Sequence, residues 1–420
     1  MRAWLYATMA VLAACGGGGA TPIADAALPD TAPPDAALPG PAFARAADLA
    51  IVAHPADDLV FLQPALTDAI TAGTGVSNIY VTAGAGGRPA FEARIAGLKQ
   101  AYGAIAGAND WACGDVVSGG DRLVHCRLAA ARLSLIFLGY PDGAADGSAP
   151  TSLLHLWQAD VTSVMTVTEP PSTYTQASLI RTLADLIDVT APTTLRTLEV
   201  AATHGPDESD HMMAGALAVL ATAASSQDPA IVSFRGDNIS DAAANLDPAV
   251  AARSAGPLAR YAACATGCAT CGDACTLDRL DPDDVGRLQR SYPIAMRTAA
   301  GLLRSEAGCV TVTVVGANAA IADCASAPSW TIDAHGQLRS STGLCLRALL
   351  TGEVVASPCA DDGVGGRFFF DDDGHLWSGI VPAPAADMAL AHLECLIIAG
   401  GRPRVALCGA RRAPTWQLTP

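Results

Sequence analysis

Basic residues are scarce in this chain, and their scarcity argues against several classes of protein. Lys99 is the only lysine, and 25 basic residues stand against 41 acidic ones, which gives a formal net charge of −16. Because binding to nucleic acid needs clustered positive charge to neutralise phosphates, we expect no nucleic-acid partner. After the N-terminal segment, no apolar run is long enough to span a bilayer. With 51% apolar and 16% charged residues, the chain can form sizeable cores, and its length suggests two folded domains.

The N-terminus has the pattern of an export signal. Residues 1–15 contain one charge, a short apolar core and then small residues, which is typical of a secretory signal peptide. The segment Leu12-Ala-Ala-Cys15 resembles a bacterial lipoprotein box, which implies lipidation of Cys15; the alternative is ordinary cleavage near Ala14. Residues 16–45 are mostly Gly, Ala, Pro and Asp and predict a disordered tether. We therefore expect an exported bacterial lipoprotein at the outer membrane or cell surface, attached to the membrane only through this anchor.

Cysteine usage agrees with export. Setting Cys15 aside, twelve of the 13 cysteines remain, an even number that favours disulfides in an oxidising compartment. Cys113 and Cys126 are close enough in sequence to pair. A second cluster could bind zinc or an iron–sulfur group, but it has no nearby histidine, so two local disulfides are favoured with their connectivity left open. This cluster consists of Cys264, Cys268, Cys271 and Cys275.

The C-terminal part of the chain contains a repeat. The last six cysteines form three pairs with separations of 15, 14 and 13 residues: Cys309 and Cys324, Cys345 and Cys359, and Cys395 and Cys408. An aromatic position follows each pair: Trp330, Phe368 and Trp416. Three strand–turn–strand units at a spacing of roughly 40 residues predict a threefold all-β architecture. Residues 305–420 resemble a ricin-type β-trefoil lectin domain, which implies core aromatics, disulfides within each repeat and sugar binding; the alternative is a trefoil that binds no sugar.

Residues 46–304 alternate between strand and helix patterns. The predicted strands are 48–54, 78–84, 133–138, 195–201 and 231–234, and the predicted helices are 90–107, 176–188, 211–225 and 284–304. This alternation predicts an α/β fold with a Rossmann-like parallel sheet flanked by helices. The glycines that follow the second strand lack the full dinucleotide-binding pattern, which argues against a dinucleotide cofactor.

The first predicted strand ends in a group of polar side chains that could bind a metal. An apolar run leads directly into His54, Asp57 and Asp58. In open α/β sheets, ligands bind at the carboxyl ends of the strands. An imidazole and a carboxylate three residues apart in one loop can share a cation such as zinc. The alternative is a strand followed by an ordinary polar turn.

Residues 46–304 resemble the LmbE-like, PIG-L family of zinc-dependent N-acetylglucosaminyl deacetylases. Five landmarks in chain order carry the resemblance: Ala53-His-Pro-Ala-Asp-Asp58, Val81-Thr-Ala-Gly84, the arginine helix Phe91–Tyr102, the strand ending in Pro141-Asp-Gly143, and Asp210-His211 at the start of a helix. The resemblance implies that zinc (Zn²⁺) is held by His54, Asp57 and His211, with water in the open position. It also implies an N-acetyl-hexosamine or glycan substrate, and we expect a monomer. The alternative for His211 is a solvent-facing residue at a helix N-terminus.

Two positions depart from the family pattern. Ala56 stands where the family has its general base, an aspartate, and Glu208 stands where the family usually has a histidine. Another residue could act as the base, and the candidates are Asp58, Asp207, Glu208 and His204. The alternative to a deacetylase is a catalytically inactive, surface-displayed glycan-binding protein that keeps the deacetylase fold.

Overall fold

The computed structural model describes residues 40–199, 204, 207–295, 298–349, 351–360, 364–370, 374–378, 394–407 and 414–419. The predicted signal peptide with Cys15, most of the predicted tether, and Cys408 lie outside the described residues. The last part of the predicted tether is packed against the fold, because Gly40 N donates to the Asp115 carbonyl at 2.9 Å and Phe43 stacks on His125 at 4.8 Å. Ordered structure therefore begins before residue 46.

An eight-stranded mixed sheet organises the first part of the chain, in the order β10-β9-β8-β1-β2-β5-β4-β3. Its strands are β1 (Asp48–Val52), β2 (Val76–Thr82), β3 (Ala112–Ser118), β4 (Asp121–Leu128), β5 (Leu133–Tyr140), β8 (Thr194–Leu198), β9 (Ala230–Phe234) and β10 (Pro293–Ala295), while β6 (Val164–Met165) and β7 (Thr173–Tyr174) form a separate pair. Strands β9, β8, β1, β2 and β5 pair in parallel, as predicted. The sheet is mixed, because β10, β4 and β3, which were not among the predicted strands, pair antiparallel with their neighbours.

Helices cover both faces of this sheet. They are α1 (Asp57–Val60), α2 (Ala65–Thr71), α3 (Gly87–Ala106), α4 (Leu153–Trp157), α5 (Gln176–Thr190), α6 (Ser209–Ala224), α7 (Pro248–Ala265) and α8 (Pro282–Arg287). Strand β1 shows the two-sided burial directly, since Ala50 and Val52 pack in one apolar core while Leu49 and Ile51 pack in the other. Within the described ranges, none of the helices combines the length and apolar character needed to cross a membrane.

The helix predicted over 284–304 is wrong. Its first residues belong to the short helix α8, and the chain then forms β10 and the strand β11 (Ala299–Ser305). Pro293 removes a backbone donor and disfavours helical geometry at the residue before it, which explains the break. Strand β11 belongs to the second sheet, so that sheet starts slightly before residue 305.

The C-terminal part consists of short strands that all pair antiparallel. After β11 they are β12 (Gly308–Thr311), β13 (Ala320–Ala322), β14 (Ser329–Ile332), β15 (Leu338–Ser340), β16 (Leu344–Ala348), β17 (Val354–Pro358), β18 (Phe368–Phe370), β19 (Leu376–Ser378), β20 (Glu394–Ala399), β21 (Arg402–Leu407) and β22 (Gln417–Thr419). The last strand, β22, pairs with the first, β11. Phe369 of β18 packs into the apolar core on one face of the first sheet, so the two parts contact each other.

The three aromatics predicted for the β core are buried. Trp330, Phe368 and Trp416 lie in one apolar cluster. The indole N–H of Trp330 donates to the Val310 carbonyl at 3.0 Å, and that of Trp416 donates to the Leu396 carbonyl at 2.8 Å. Each acceptor follows the first cysteine of its pair. The same contact therefore recurs in two of the sequence repeats.

Five disulfides lie within the described residues. They join Cys113 to Cys126, Cys264 to Cys271, Cys268 to Cys275, Cys309 to Cys324, and Cys345 to Cys359. The four-cysteine cluster thus forms two local crosslinks at the end of α7 and not a metal centre. The third predicted repeat pair, Cys395 with Cys408, falls partly outside the described residues.

Helices α3 and α7 pack closely around one glycine. A Cβ atom placed on Gly97 of α3 would lie 2.6 Å from the Tyr261 carbonyl oxygen of α7, which is closer than real Cβ contacts. Helix α7 in turn reaches the loop after β1, where the Tyr261 hydroxyl donates to the Pro55 carbonyl at 2.9 Å. Gly97 therefore allows the approach that brings Tyr261 to the loop after β1.

We predict that Gly97→Ala lowers the free energy of unfolding by about 1–3 kcal/mol through overpacking. An alanine in place of a helical glycine usually stabilises by about 0.5–1 kcal/mol, so the packing clash must outweigh that gain. Gly256→Ala on α7 is the matched control, because a Cβ there meets no atom within 4 Å. Chemical denaturation of both variants checks this, and a stabilised Gly97→Ala would contradict the packing argument.

Candidate metal centre

The loop after β1 fixes His54 and Asp57 together at the carboxyl end of the strand. The Asp57 carboxylate accepts a hydrogen bond from the His54 backbone N–H, with an N–Oδ2 distance of 2.6 Å. Ala56 adopts φ 97°, a left-handed conformation, and its carbonyl accepts from the first turn of α1. The turn therefore places the His54 and Asp57 side chains next to each other as the strand ends.

Helix α6 brings His211 to the same place. The strand that precedes α6 is β8, which pairs with one side of β1, while β2 pairs with the other side. The direction in which the chain adds strands to the sheet therefore reverses between β8 and β1. Open α/β sheets bind ligands at such a reversal. His211 Nδ1 lies 2.9 Å from Asp207 Oδ1, and this hydrogen bond orients the ring. His211 Nε2 then lies 3.5 Å from Asp57 Oδ1 and 3.4 Å from Glu208 Oε2.

A buried nitrogen without a hydrogen-bond partner lies at the centre of the site. Among the described residues, His54 Nε2 has no hydrogen-bond partner. Three carboxylate oxygens surround it: Asp210 Oδ2 at 3.5 Å, Asp142 Oδ2 at 3.7 Å and Glu208 Oε1 at 3.7 Å. An unpaired buried nitrogen among carboxylate oxygens is the environment that a bound cation would complete.

The donor types and their spacing fit a divalent metal ion. Ligand atoms of His54, Glu208 and His211 lie within 4.8 Å of one another, and so do those of His54, Asp142 and Asp210. Imidazole nitrogens and carboxylate oxygens are the donors that zinc takes in hydrolytic sites. Of the predicted ligands, His54 and His211 belong to one such group, and Asp57 lies beside them, 3.5 Å from His54 Nδ1 and 3.5 Å from His211 Nε2.

Three acidic residues join this site that were not predicted as its ligands. Asp142 follows β5, and Glu208 and Asp210 flank the start of α6. The sequence carried a signal for two of them, since Asp142 lies in the Pro141-Asp-Gly143 landmark and Asp210 directly precedes His211. Glu208 was considered only as a base.

The electrostatics of the site couple its imidazoles to its carboxylates. Burial acts to lower the pKa of His54, but Asp57 and Asp210 outweigh it, and the pKa is raised well above its ordinary value. Burial also acts to lower the pKa of His211, but Asp57 and Asp207 outweigh it, and this pKa too is raised well above its ordinary value. Burial acts to raise the pKa of Asp57, but His211 and His54 hold it well below its usual range. Asp57 is therefore a carboxylate at any pH at which the protein would bind a metal.

Asp58 has a structural role in this fold. Its carboxylate accepts hydrogen bonds from Asn78 at 2.8 Å, from Tyr80 at 2.5 Å, and from the Tyr102 hydroxyl. Burial raises the pKa of Asp58 to about 7, although the two tyrosine hydrogen bonds lower it in part. The Asp58 side chain thus joins β2 and α3 beneath the site loop and is fully buried.

The remaining base candidates also have partners. His204 Nδ1 lies 2.6 Å from Glu199 Oε1. Asp207 is fully buried, and its Oδ1 accepts from His211 and from the backbone N–H groups of Glu208 and Asp237. Glu208, with a side chain 20% exposed, faces both imidazoles.

A comparison with protein families matches residues 49–222 to the PIG-L family, described as GlcNAc-PI de-N-acetylase. Residues 49–222 match the model of this family, so this part of the chain is similar to a class of de-N-acetylases, enzymes that hydrolyse amides. No curated protein matches the chain. The matched range runs from β1 into α6, so it contains His54, Asp57 and His211 together.

We predict that Asp207→Ala weakens the affinity for zinc by about 10- to 100-fold, because partners that orient a ligating histidine typically contribute this much. Competition with a chromophoric chelator measures the dissociation constant. Asp241→Ala, at the exposed end of the short 3-10 helix that follows β9, is the control for a lost carboxylate. Unchanged affinity in a folded Asp207→Ala protein would show that His211 needs no orienting partner.

Proposed function

We propose that this protein is a zinc-dependent deacetylase that removes the acetyl group from N-acetyl-hexosamine units of glycans. Zinc would be held by His54, Asp57 and His211. The observation that carries the proposal is the pair of buried imidazoles, whose Nε2 atoms both face Glu208 and each face a further carboxylate, at the β1–β8 reversal of a PIG-L family domain.

The surrounding residues have separate roles in the proposed reaction. A divalent ion held here supplies Lewis acidity, which polarises an amide carbonyl and makes water more acidic. Asp57 contacts both rings and contributes negative charge. Asp207 fixes the tautomer of His211 by accepting from Nδ1, which leaves Nε2 as the metal-binding nitrogen. Phe61 packs edge-on against the His211 ring at 5.3 Å and limits its rotation.

We also propose that the C-terminal domain is a ricin-type β-trefoil that binds glycans. Three features support this: the strands are all antiparallel, β22 pairs with β11, and the indole-to-carbonyl contact recurs after Cys309 and Cys395. Two of the three predicted pairs within repeats are disulfide-bonded. The buried aromatics fill the core, so sugar contacts would come from other residues.

We further propose that the protein is exported and attached to the membrane through Cys15. The five disulfides support an oxidising compartment, because structural disulfides are uncommon in the reducing cytosol. A surface location would bring the enzyme to the polymeric glycans of a cell envelope.

A second candidate function is a glycan-binding protein that has lost catalysis. Ala56 favours this alternative, because it stands where related domains have their general base and its methyl group cannot accept a proton. Such a protein would still bind zinc and glycans but would release no acetate.

We predict that the purified protein binds about one equivalent of zinc and releases acetate from N-acetylglucosamine oligomers. His54→Ala and His211→Ala should each abolish both properties, because each removes one of two imidazole donors. Metal analysis and an acetate assay check this on the same samples. Folded wild-type protein that stays free of zinc after the ion is supplied would rule out the deacetylase, and zinc binding without acetate release would favour the inactive alternative.

We predict that removing residues 299–420 reduces activity on polymeric substrate at least about tenfold more than on a small N-acetylglucosamine derivative, because glycan bound to the β domain raises local substrate concentration. The cut precedes β11, so it removes the whole second sheet. Zinc content reports whether the remaining domain is folded. An equal loss on both substrates would mean that the β domain only stabilises the enzyme.

A further inference from the structure

We propose that Glu208 is the general base of this site, replacing the aspartate that is missing at Ala56. The inference rests on the proposed function, since it assigns a residue to the hydrolysis proposed above. It selects one of the four candidates that the sequence left open.

The position of Glu208 gives it access to whatever lies between the two imidazoles. Its Oε1 lies 3.7 Å from His54 Nε2, and its Oε2 lies 3.4 Å from His211 Nε2. Within the described part of the chain, Asp57 and Glu208 are the carboxylates with an oxygen within 4.0 Å of both rings. A water that approaches the space between these nitrogens would thus come within reach of a Glu208 oxygen.

Exposure separates Glu208 from its neighbours. The Asp57 side chain is 9% exposed and is held by the His54 backbone N–H, whereas Glu208 is 20% exposed. A side chain that is partly exposed is accessible to an incoming water and to substrate. Asp57 is thus suited to holding the ion, and Glu208 to moving the proton.

The other candidates are held by structural hydrogen bonds. Asp58 accepts from Asn78, Tyr80 and Tyr102 beneath the loop. The Asp207 side chain is fully buried and holds His211. His204 is paired with Glu199 at 2.6 Å.

The two departures from the family pattern together conserve charge. Replacing the aspartate by Ala56 removes one carboxylate from the loop after β1. Replacing the usual histidine by Glu208 adds one carboxylate at the start of α6, on the other wall of the same site. The proton acceptor has therefore moved from one wall to the other, and the number of acidic groups is unchanged.

The step can be written with its atoms balanced. A Glu208 oxygen takes one proton from water while the water oxygen bonds to the acetamide carbonyl carbon, and the carbonyl π electrons move onto oxygen. When the carbonyl re-forms, the C–N bond breaks and the amine nitrogen takes the proton from Glu208. The products are the free amino sugar and acetic acid, which releases the second proton of the water to solvent and becomes acetate.

Glu208→Gln tests the proposal in the full-length protein. It keeps the shape of the side chain and removes the proton acceptor, so we expect kcat for acetate release from N-acetylglucosamine oligomers to fall about 100- to 10,000-fold with zinc content unchanged. Added formate should partly restore a Glu208→Ala variant by supplying a small carboxylate. Glu92→Gln, the same change at an exposed position on α3, is the matched control and should behave as wild type. Asp142→Asn tests the nearest partly exposed rival.

The possible results are distinguishable. Loss of zinc together with activity in Glu208→Gln would make Glu208 a metal ligand and overturn the proposal. Activity within a few-fold of wild type, or a larger loss in Asp142→Asn, would place the base elsewhere. If the zinc-loaded wild type releases no acetate, the proposed function itself fails. If formate restores Glu208→Ala while Glu208→Gln keeps its zinc, the assignment stands.

Discussion

The concentration of negative charge around two buried imidazoles is the constraint on which the rest of the site depends. Among the described residues, five carboxylates lie within 4 Å of the His54 and His211 rings: Asp57, Asp142, Asp207, Glu208 and Asp210. Even with both rings protonated, the carboxylates would outnumber the positive charges. Buried charge without compensation is costly, so such a cluster is stable only with a cation or with protons taken up from solvent. The three loops that carry these residues are therefore expected to be best ordered with an ion bound.

The topology of the sheet explains why these loops meet. The chain moves from β1 to β2 and β5 on one side, and later returns to β8 and β9 on the other. The ends of β1, β5 and β8 consequently open onto the same crevice, although more than 150 residues separate His54 from His211 along the chain. His54, Asp142 and His211 belong to one site because each follows a strand that ends at this crevice.

The sequence was most informative where a local pattern and a family landmark coincide. The apolar run before His54 predicted β1, and the resemblance predicted that His211 belongs to the same site. Helix α7 and the β3–β4 hairpin were not predicted; α7 carries Gly256 and Pro257 in its interior, and both residues disfavour a helix. Glu208 could be named as a candidate base but not selected, since its rivals Asp58 and Asp207 are excluded only by hydrogen bonds to residues distant in sequence or on the following helix.

The hydrogen bond from Tyr261 to the Pro55 carbonyl has a consequence for the rate at which a metal ion enters and leaves. It fastens the His54–Asp57 turn to α7, whose C-terminal end is closed by the Cys264–Cys271 crosslink and tied back by the bond from Cys275 N to the Ala259 carbonyl at 3.0 Å. One wall of the site is thus rigid before an ion arrives, so little ordering entropy is lost there on binding. Association and release of the ion would then be governed by the opposite wall, the turn after β5 and the start of α6. The loop after β1 would thus set the geometry of binding, and movement of the opposite side would set the rate constants for association and release of the ion.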